Sequence, residues 1–334
     1  MRIIFNRRET LALLYAALPI STRAAVSDSI IEPHIHLFSA DMKRFPGHPN
    51  GPRPGPAPLE DYVAFAKSAR ITNAVHVSAE PYQDDTRYLE YTLTAAPKGF
   101  LKGVVLFDSI ASETPRRLTE ISAKHPGKIV ALRIHCTRGR NEPPSTSGPI
   151  RDRDLMHPQA RTVWKTAGDN KIAIQAHIMP WFAPQIGQLA REFPNTRVLI
   201  DHFGHAGVGS ATRGPKGWEW RKVESGYSHP SEFEQIVELA RLPNITLKVS
   251  SLQYSSRQPA PHKDVAPLIR RAYDAFGPER LMWGSLGHSE GELKSKEIVF
   301  EENLGFLSPR ERSLVRHENA RRFFDFALPQ NAVP

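Results

Sequence analysis

Eight short apolar runs alternate with amphipathic patterns along most of the chain, and this alternation limits the possible folds more than any other feature. Each run has the length and apolar content of a buried parallel strand. The runs cover 30–38, 73–80, 101–108, 129–136, 171–178, 197–204, 245–252 and 280–287. Patterns typical of helices lie between them, for example at 59–70, 114–125 and 264–276. Eight β/α units in series predict an α/β protein with a (β/α)8 TIM barrel as its single domain.

A doubly wound open sheet is the alternative fold for the same alternation. That fold often carries a glycine-rich phosphate loop after its first strand, and no such loop follows the run at 30–38. The connections after the first, fourth and sixth runs are long, at 39–58, 137–157 and 205–230. Loops that follow the strands of a barrel surround its active site, so we expect these insertions at the mouth. The first insertion is proline-rich over 45–58, which predicts a stiff loop across the mouth.

Polar residues stand near the ends of the strand-like runs, where a buried parallel strand would normally be apolar. Most occur as pairs spaced by two, which places both members on one face of a strand. The set comprises Glu32, His34, His36, His76, Ser78, Arg133, His135, Gln175, His177, His202, Lys248 and Ser250. Imidazoles that share a face can bind one metal ion or one substrate. We therefore predict a polar site at the ends of the strands.

The first 24 residues have the composition of an export signal. Arg7 and Arg8 precede an apolar run at 11–20, and small residues follow as far as Ala24. The run is too short for a membrane span, which needs about 20 residues, and matches the core of a secretory signal. The arginine pair resembles a twin-arginine signal. We expect residues 1–24 to be removed and the mature protein to be periplasmic or otherwise exported, with no membrane segment. An amphipathic N-terminus is the alternative.

Charge and cysteine content exclude some partners and bonds. The formal net charge is +9, but the basic residues are dispersed along the chain rather than clustered. This dispersal argues against nucleic acid as a partner and mildly favours a small anionic substrate. Cys136 is the single cysteine, so the chain forms no internal disulfide. The sequence leaves the oligomeric state open.

An ordered set of motifs at the strand ends resembles the amidohydrolase-related family (amidohydrolase 2), whose members are TIM-barrel, metal-dependent hydrolases. The likeness covers roughly residues 29–327 and is strongest to the branch of sugar-acid and 2-pyrone-4,6-dicarboxylate lactonases. The motifs are His34-Ile-His36, the histidine that ends the fifth run, Asp201-His-Phe-Gly204, Leu247-Lys-Val-Ser-Ser251, Arg280-Leu-Met-Trp-Gly-Ser285 and the closing segment Glu318–Phe324. The resemblance specifies a family and a fold, but not a substrate.

The resemblance implies a metal site at the first and fifth strands. His34 and His36 match the first-strand ligands of the family, and His177 matches the fifth-strand ligand. His202 matches a histidine that binds a second metal or polarises the substrate, which makes it a candidate catalytic residue. Three imidazoles and a water molecule suit zinc, which acidifies the water and polarises a carbonyl. Because lactonases of this branch can act without metal, the expected cofactor is a divalent ion, zinc first, or none.

The resemblance also implies a binding group for an anionic or lactone substrate. Arg133 stands where lactonase-like members bind an anionic substrate group, and a guanidinium grips a carboxylate through two hydrogen bonds. His135 and Lys248 lie on the same predicted strand ends and are further candidates for substrate binding.

The sequence departs from the family pattern at two positions. Glu32 replaces the aspartate that usually opens the first motif, which keeps the charge and adds one methylene. Leu286 replaces the aspartate of the eighth-strand Gly-Ser-Asp motif, and leucine can neither bind a metal nor accept a proton. The standard mechanism therefore lacks its base. Candidate replacements are Glu32, Asp108, His288 and Glu290, and we predict Glu32, His202 and His288 as the catalytic set.

Three functions remain open on the sequence alone. The first is hydrolysis of a lactone or similar cyclic ester with a relocated base. The second is non-oxidative decarboxylation of an aromatic acid on the same barrel. The third is a catalytically degenerate barrel that binds an anionic ligand without turnover, which the loss of the eighth-strand aspartate would explain.

Overall fold

The structure is a computed structural model that describes residues 29–146, 152–206, 211–214, 217–220 and 230–327. The predicted export signal at 1–24 lies outside the described residues, as does most of the third long insertion. Within the described residues, no helix combines the length and the apolar character that crossing a membrane requires.

Eight parallel strands form a nearly closed barrel, which confirms the (β/α)8 prediction. Each strand pairs with the next along the chain, so the strand order is the chain order. A doubly wound sheet reverses its strand order at a switch point, and this sheet does not. The strands are β1 Ile30–Ile35, β2 Ile71–Val77, β3 Leu101–Val105, β4 Ile129–Cys136, β5 Ala173–Ile178, β6 Val198–Ile200, β7 Ile245–Val249 and β8 Leu281–Trp283.

Helices cover the outside of the barrel and alternate with its strands. They are α1 Leu59–Ser68, α2 Arg87–Ala95, α3 Thr114–Lys124, α4 Pro158–Asp169, α5 Ala183–Glu192, α6 Pro230–Glu238, α7 Ala266–Phe276 and α8 Glu290–Leu304. The chain then continues through α9 Pro309–Ser313, a π-helical turn Leu314–Glu318 and α10 Asn319–Phe323. Asn319 donates hydrogen bonds to the carbonyl oxygens of Pro278 and Leu281 at 2.6 and 2.7 Å, which fixes this closing segment beneath β8.

The apolar core has two parts, and together they determine where a site can form. One part fills the space between the strands and the surrounding helices. The other fills the lower barrel with small and branched side chains, including Val75, Val104, Leu199 and Met282, and Phe324 of the closing segment packs against it. The barrel is therefore solid at its N-terminal end, and only the C-terminal end of the strands is left for polar side chains.

The long insertions follow the predicted strands β1, β4 and β6. The first one folds back on itself, because Phe38 and Ala57 exchange two backbone hydrogen bonds of 2.9 Å. Within the third, strands Ala211–Gly214 and Gly217–Trp220 form a two-stranded antiparallel hairpin. Five non-glycine residues after the ends of β6, β7 and β8 adopt left-handed backbone conformations, with φ between 50 and 58°: His202, Phe203, His205, Ser251 and Leu286. Such strained positions cluster at functional sites, and here they follow the strand ends that face the mouth.

Candidate active site

A layer of fully buried polar side chains closes the barrel interior below the mouth. We call it the inner layer, and its members are Glu32, His34, Gln175, Asp201 and Lys248. At its centre the Lys248 Nζ lies 2.5 Å from Asp201 Oδ1 and 2.6 Å from His34 Nδ1. Gln175 Nε2 donates to both carboxylate oxygens of Asp201, at 3.0 and 2.9 Å. Burial alone would raise the pKa of Asp201, but the Lys248 ammonium holds it well below its usual range.

Glu32 joins the first strand of the barrel to the last. Its Oε2 accepts hydrogen bonds from Ser285 N at 2.8 Å, Ser285 Oγ at 2.5 Å and Leu286 N at 3.2 Å. Its Oε1 accepts from His34 N at 3.2 Å. Burial raises the pKa of Glu32 to about 7. The structure thus places this predicted base in the seam between β1 and β8, with its carboxylate bonded to the protein.

Above the inner layer lies a cavity of about 250 Å³ at the mouth of the barrel. Pro52 and Pro54 of the first insertion contribute to its wall, as expected for a stiff loop across the mouth. Leu286 lines it as well, where the family pattern has aspartate. We call its ionisable lining groups the cavity layer: His36, Glu80, Arg133, His177, His202 and Tyr254. Four residues predicted from the sequence therefore meet in one cavity: His36, Arg133, His177 and His202.

Hydrogen bonds fix the ring orientations of the cavity histidines. His36 Nδ1 donates to the carbonyl oxygen of Val77 at 2.8 Å, so its Nε2 is left as an acceptor. Arg133 Nη2 donates to His177 Nδ1 at 3.2 Å, and the opposite nitrogen of His177 lies 2.8 Å from His205 Nε2. Burial lowers the pKa of His36 to about 4 and those of His177 and His202 well below their usual value. These imidazoles are neutral at pH 7.

The side chains present fit a divalent ion at the junction of the two layers. The Nε2 atoms of His34 and His36 are 3.1 Å apart. Two nitrogens on one tetrahedral zinc ion stand roughly 3.3 Å apart, so the spacing suits a shared ion. Ligand atoms of His34, Asp201 and His202 also lie within 4.8 Å of one another, the one such group among the described residues.

Two features of the structure compete with an ion at this position. Lys248 and Gln175 both donate to His34 Nδ1, which puts the ring proton of His34 on Nε2, between the two imidazoles. A bound ion would replace that proton. Asp201 is already neutralised by Lys248, and the predicted third ligand, His177, instead hydrogen bonds at both ring nitrogens to Arg133 and His205. The roles of His34, His36 and His177 as ligands stay a prediction.

Three other residues predicted to act in the site stand apart from the cavity lining. Lys248 belongs to the inner layer, where it pairs with Asp201. His135 lies beside the cavity, with its Nδ1 3.5 Å from Glu80 Oε1. His288 packs edge-on against Tyr62 of α1, with ring centroids 5.3 Å apart, and burial lowers its pKa.

The remaining candidate bases are also engaged or remote. Both carboxylate oxygens of Asp108 accept hydrogen bonds from Arg153, the shortest at 2.7 Å. Glu290 is the first residue of α8 and is exposed.

Sequence reasoning gave no role to four residues that the structure brings to the site: Glu80, Asp201, His205 and Tyr254. Asp201 and His205 flank His202 in the chain, so the Asp-His-x-x-His spacing was the available signal. The rings of His205 and Tyr254 stack with centroids 5.2 Å apart. Tyr254 and Glu80 come from loops that follow strands. In a loop, sequence periodicity does not tell which way a side chain points.

Comparisons with known proteins agree with the motifs at the strand ends. The model of the family described as Amidohydrolase matches residues 31–326. An L-fucono-1,5-lactonase from Burkholderia ambifaria is 26% identical over 287 residues, which is 82% of this chain and 86% of that protein. A crystal structure of a candidate 2-pyrone-4,6-dicarboxylic acid hydrolase from Pseudomonas putida superposes with a TM-score of 0.68 at 22% identity, covering 90% of this chain and 99% of that one.

A zinc-bound amidohydrolase structure from Burkholderia multivorans also matches, with a TM-score of 0.64 at 16% identity, covering 90% of this chain and 100% of that one. At these identities the two structures support the fold alone.

Proposed function

The chain belongs to the Amidohydrolase family, and on that premise we propose that it hydrolyses a lactone or similar cyclic ester that carries an anionic group. One observation supports this proposal above the others. The guanidinium of Arg133 lines the same 250 Å³ cavity as the neutral imidazoles of His36, His177 and His202. A fixed cation suits an anionic substituent, and neutral imidazoles suit a carbonyl undergoing attack by water.

Arg133 is preorganised for substrate binding by its neighbours. It is 4% exposed, donates to His177 and stands 3.5 Å from Asp201, so its position is fixed before a ligand enters. An anion bound there would orient the lactone ring towards the histidines. Binding energy at a remote anion thus positions the reacting carbonyl, which is how such contacts contribute to rate as well as to affinity.

The named relatives support the reaction class. One is a lactonase for a sugar acid, and the other is described as a hydrolase of a cyclic ester with two carboxylates. Both names describe opening of an ester ring by water. A divalent ion held at His34 and His36 would polarise the carbonyl and acidify the attacking water.

The test is hydrolysis of a panel of sugar-acid 1,5-lactones and carboxylated pyrones and muconolactones, followed by pH indicator or absorbance. We expect ring opening of at least one carboxylated lactone. In Arg133→Lys, which keeps the charge but loses the planar fork, KM should rise about tenfold or more, with a smaller change in kcat. Arg116→Lys on the exposed face of α3 is the matched control and should leave both constants unchanged.

Other outcomes favour the other two functions. Release of carbon dioxide from an aromatic acid, with every lactone left intact, would identify the protein as a decarboxylase. Saturable binding of a carboxylated lactone with no product would indicate a degenerate anion-binding barrel. Either result would contradict the proposed hydrolase.

We also propose that His34 and His36 bind about one divalent ion per chain, zinc first, because their Nε2 spacing suits one ion. Purified protein should then contain metal by elemental analysis, and His36→Ala should remove it. Metal-free protein with undiminished hydrolysis would make these imidazoles substrate-binding groups. We further propose secretion of the mature chain, on the basis of the signal-like composition of residues 1–24. N-terminal sequencing of protein from its native host that still found residues 1–24 would contradict it.

A further inference from the structure

The proposed hydrolysis needs a proton acceptor, and the carboxylates near the mouth differ sharply in what they can reach. Glu32 and Asp201 are fully buried in the inner layer and bonded to protein groups. Asp108 is held by Arg153, and Glu290 is exposed on α8. Of the described carboxylates, Glu80 is the one that lines the cavity.

We propose that Glu80 is the general base of this enzyme and supplies the carboxylate that the eighth strand lacks at Leu286. This inference rests on the proposed hydrolase function and adds a catalytic residue to it. Glu80 follows β2 by three residues, and β1 alone separates β2 from β8, where the family pattern has its aspartate.

Glu80 lines the cavity together with His36 and Tyr254, and its charge acts on both of them. Burial lowers the pKa of His36, and the negative charge of Glu80 opposes that shift. Burial raises the pKa of Tyr254, and Glu80 adds to it. His36 comes from the end of β1 and Tyr254 from the loop after β7.

The turn that follows Glu80 is bound to the first insertion, so the backbone that carries this side chain is held before substrate arrives. Pro81 O accepts a hydrogen bond from His48 N at 2.6 Å, and Tyr82 OH accepts from Ser39 N at 2.8 Å. A Cβ built on Gly51 would stand 3.1 Å from Glu80 O, so the first insertion packs closely on this turn. The side chain itself is 17% exposed and has His135 Nδ1 3.5 Å from its Oε1. Fixed groups of this kind lose little entropy at the moment of reaction.

The cavity imidazoles are less suited to take the proton. Both ring nitrogens of His36 are engaged, one with Val77 O and the other with His34. Both nitrogens of His177 are engaged with Arg133 and His205. His202 has Nδ1 3.1 Å from Ser250 Oγ, which leaves Nε2 to donate to the lactone carbonyl when Ser250 donates to Nδ1.

In the proposed step, Glu80 takes a proton from water while the water oxygen forms a bond to the lactone carbonyl carbon. The tetrahedral intermediate then collapses, and its ring C–O bond breaks. The departing alkoxide receives the proton from the Glu80 carboxylic acid, which restores the carboxylate and gives an open-chain hydroxy acid. Water is the only co-reactant.

The test compares Glu80→Gln, Glu80→Asp and Glu80→Ala with wild type on a lactone that the wild type hydrolyses. General-base catalysis typically contributes 10²–10⁴-fold, so we expect kcat of Glu80→Gln to fall about 100-fold or more with KM within about threefold. Glu80→Asp should retain intermediate activity. Added formate should restore Glu80→Ala about tenfold by replacing the missing carboxylate. Glu113→Gln, an exposed carboxylate at the start of α3, is the control and should match wild type.

The possible failures are distinguishable. Urea unfolding midpoints of all variants identify a folding defect, and formate rescue of Glu80→Ala would not repair one. If Glu80→Gln keeps kcat within about threefold, or changes KM alone, Glu80 is not the base although hydrolysis stands. If wild type hydrolyses no lactone on the panel, the proposed function fails and the role of Glu80 fails with it.

Discussion

The inner layer and the cavity layer are both built from polar side chains near the ends of the barrel strands, yet they differ in depth. On β1, Glu32 and His34 are 0% exposed, whereas His36, two residues further along, lines the cavity. On β5, Gln175 is fully buried and His177 reaches the cavity. Side chains that share a face of a barrel strand stack in successive layers along the barrel axis. The depth of a polar residue, rather than its type, decides whether its partners are protein groups or a substrate.

The inner layer uses charged groups where the lower barrel uses apolar ones. The Lys248–Asp201 pair is fully desolvated, and such pairs often add little net stability compared with apolar residues of equal volume. The pair instead fixes His34 from below, since both Lys248 and Gln175 donate to its Nδ1. We infer that the inner layer holds the first-strand histidines in one orientation, while the cavity layer contacts the ligand.

Breaking the inner layer should produce the largest change in stability. Lys248→Met removes the cation and leaves Asp201 buried without its partner, so the free energy of unfolding should fall by about 3–5 kcal/mol in urea titrations. Lys165→Met is the control, because the Lys165–Asp169 pair is exposed and should change stability by less than about 1 kcal/mol. Equal effects from the two variants would mean that the inner layer has no special energetic role.

The inner layer should also contribute a pH dependence of stability through Glu32. Its pKa is raised from 4.5 to about 7 in the folded chain, so folded protein binds more protons than unfolded protein between these values. The contribution of this group is therefore fully present below pH 4.5 and is lost as pH rises through about 7. At 1.36 kcal/mol per pKa unit the total is roughly 3 kcal/mol.

Glu32→Gln should remove that dependence, since the amide does not ionise but keeps an acceptor oxygen for Ser285. The measurement is the free energy of unfolding of wild type and variant across pH 4 to 8. The wild-type advantage should shrink as pH rises. A difference that stays constant or grows with pH would mean that Glu32 is ionised throughout the range.

The sequence predicted the parts of the molecule that depend on periodicity. The eight apolar runs predicted the eight strands, and the polar residues at their ends predicted which end of the barrel holds the site. Both predictions succeed because side-chain alternation along a strand is a local property. The same alternation put His76 among the polar residues at the strand ends, but its side chain points outward, away from the site. Val75 and Val77 face the barrel interior, while His76 Nδ1 lies 2.9 Å from Thr92 Oγ1 of α2. Which of two alternating faces is inward depends on the packed barrel.

Depth and loop direction were beyond sequence reasoning. Spacing by two places Glu32, His34 and His36 on one face but does not tell which of them the cavity reaches. Glu80 and Tyr254 belong to loops whose path is set by contacts distant in sequence, such as the hydrogen bond from His48 N to Pro81 O. The left-handed backbone at Leu286 could not be foreseen either, because leucine rarely adopts it.

The smallest predicted effect concerns that leucine, which stands between the two layers. Its φ of 58° is unfavourable for a leucine side chain by roughly 1 kcal/mol, and asparagine or aspartate tolerates this conformation better. Since Leu286 is only partly buried, Leu286→Asn should raise the free energy of unfolding by up to about 1 kcal/mol. Leu286→Asp should gain less, because its charge would lie near the carboxylate of Glu32, which bonds to its backbone N–H.

The same two variants test which side of the cavity holds the base. With Glu80 in that role, a carboxylate on β8 adds no required group, so kcat of Leu286→Asp should stay within about threefold of Leu286→Asn. General-base catalysis typically contributes 10²–10⁴-fold, so a missing base would show as a far larger gain. A rise of tenfold or more in Leu286→Asp, absent from Leu286→Asn and retained when Glu80→Gln is added, would return the base to the eighth strand. Glu80 would then be a substrate-binding group, and the wild type would lack a base because position 286 is leucine.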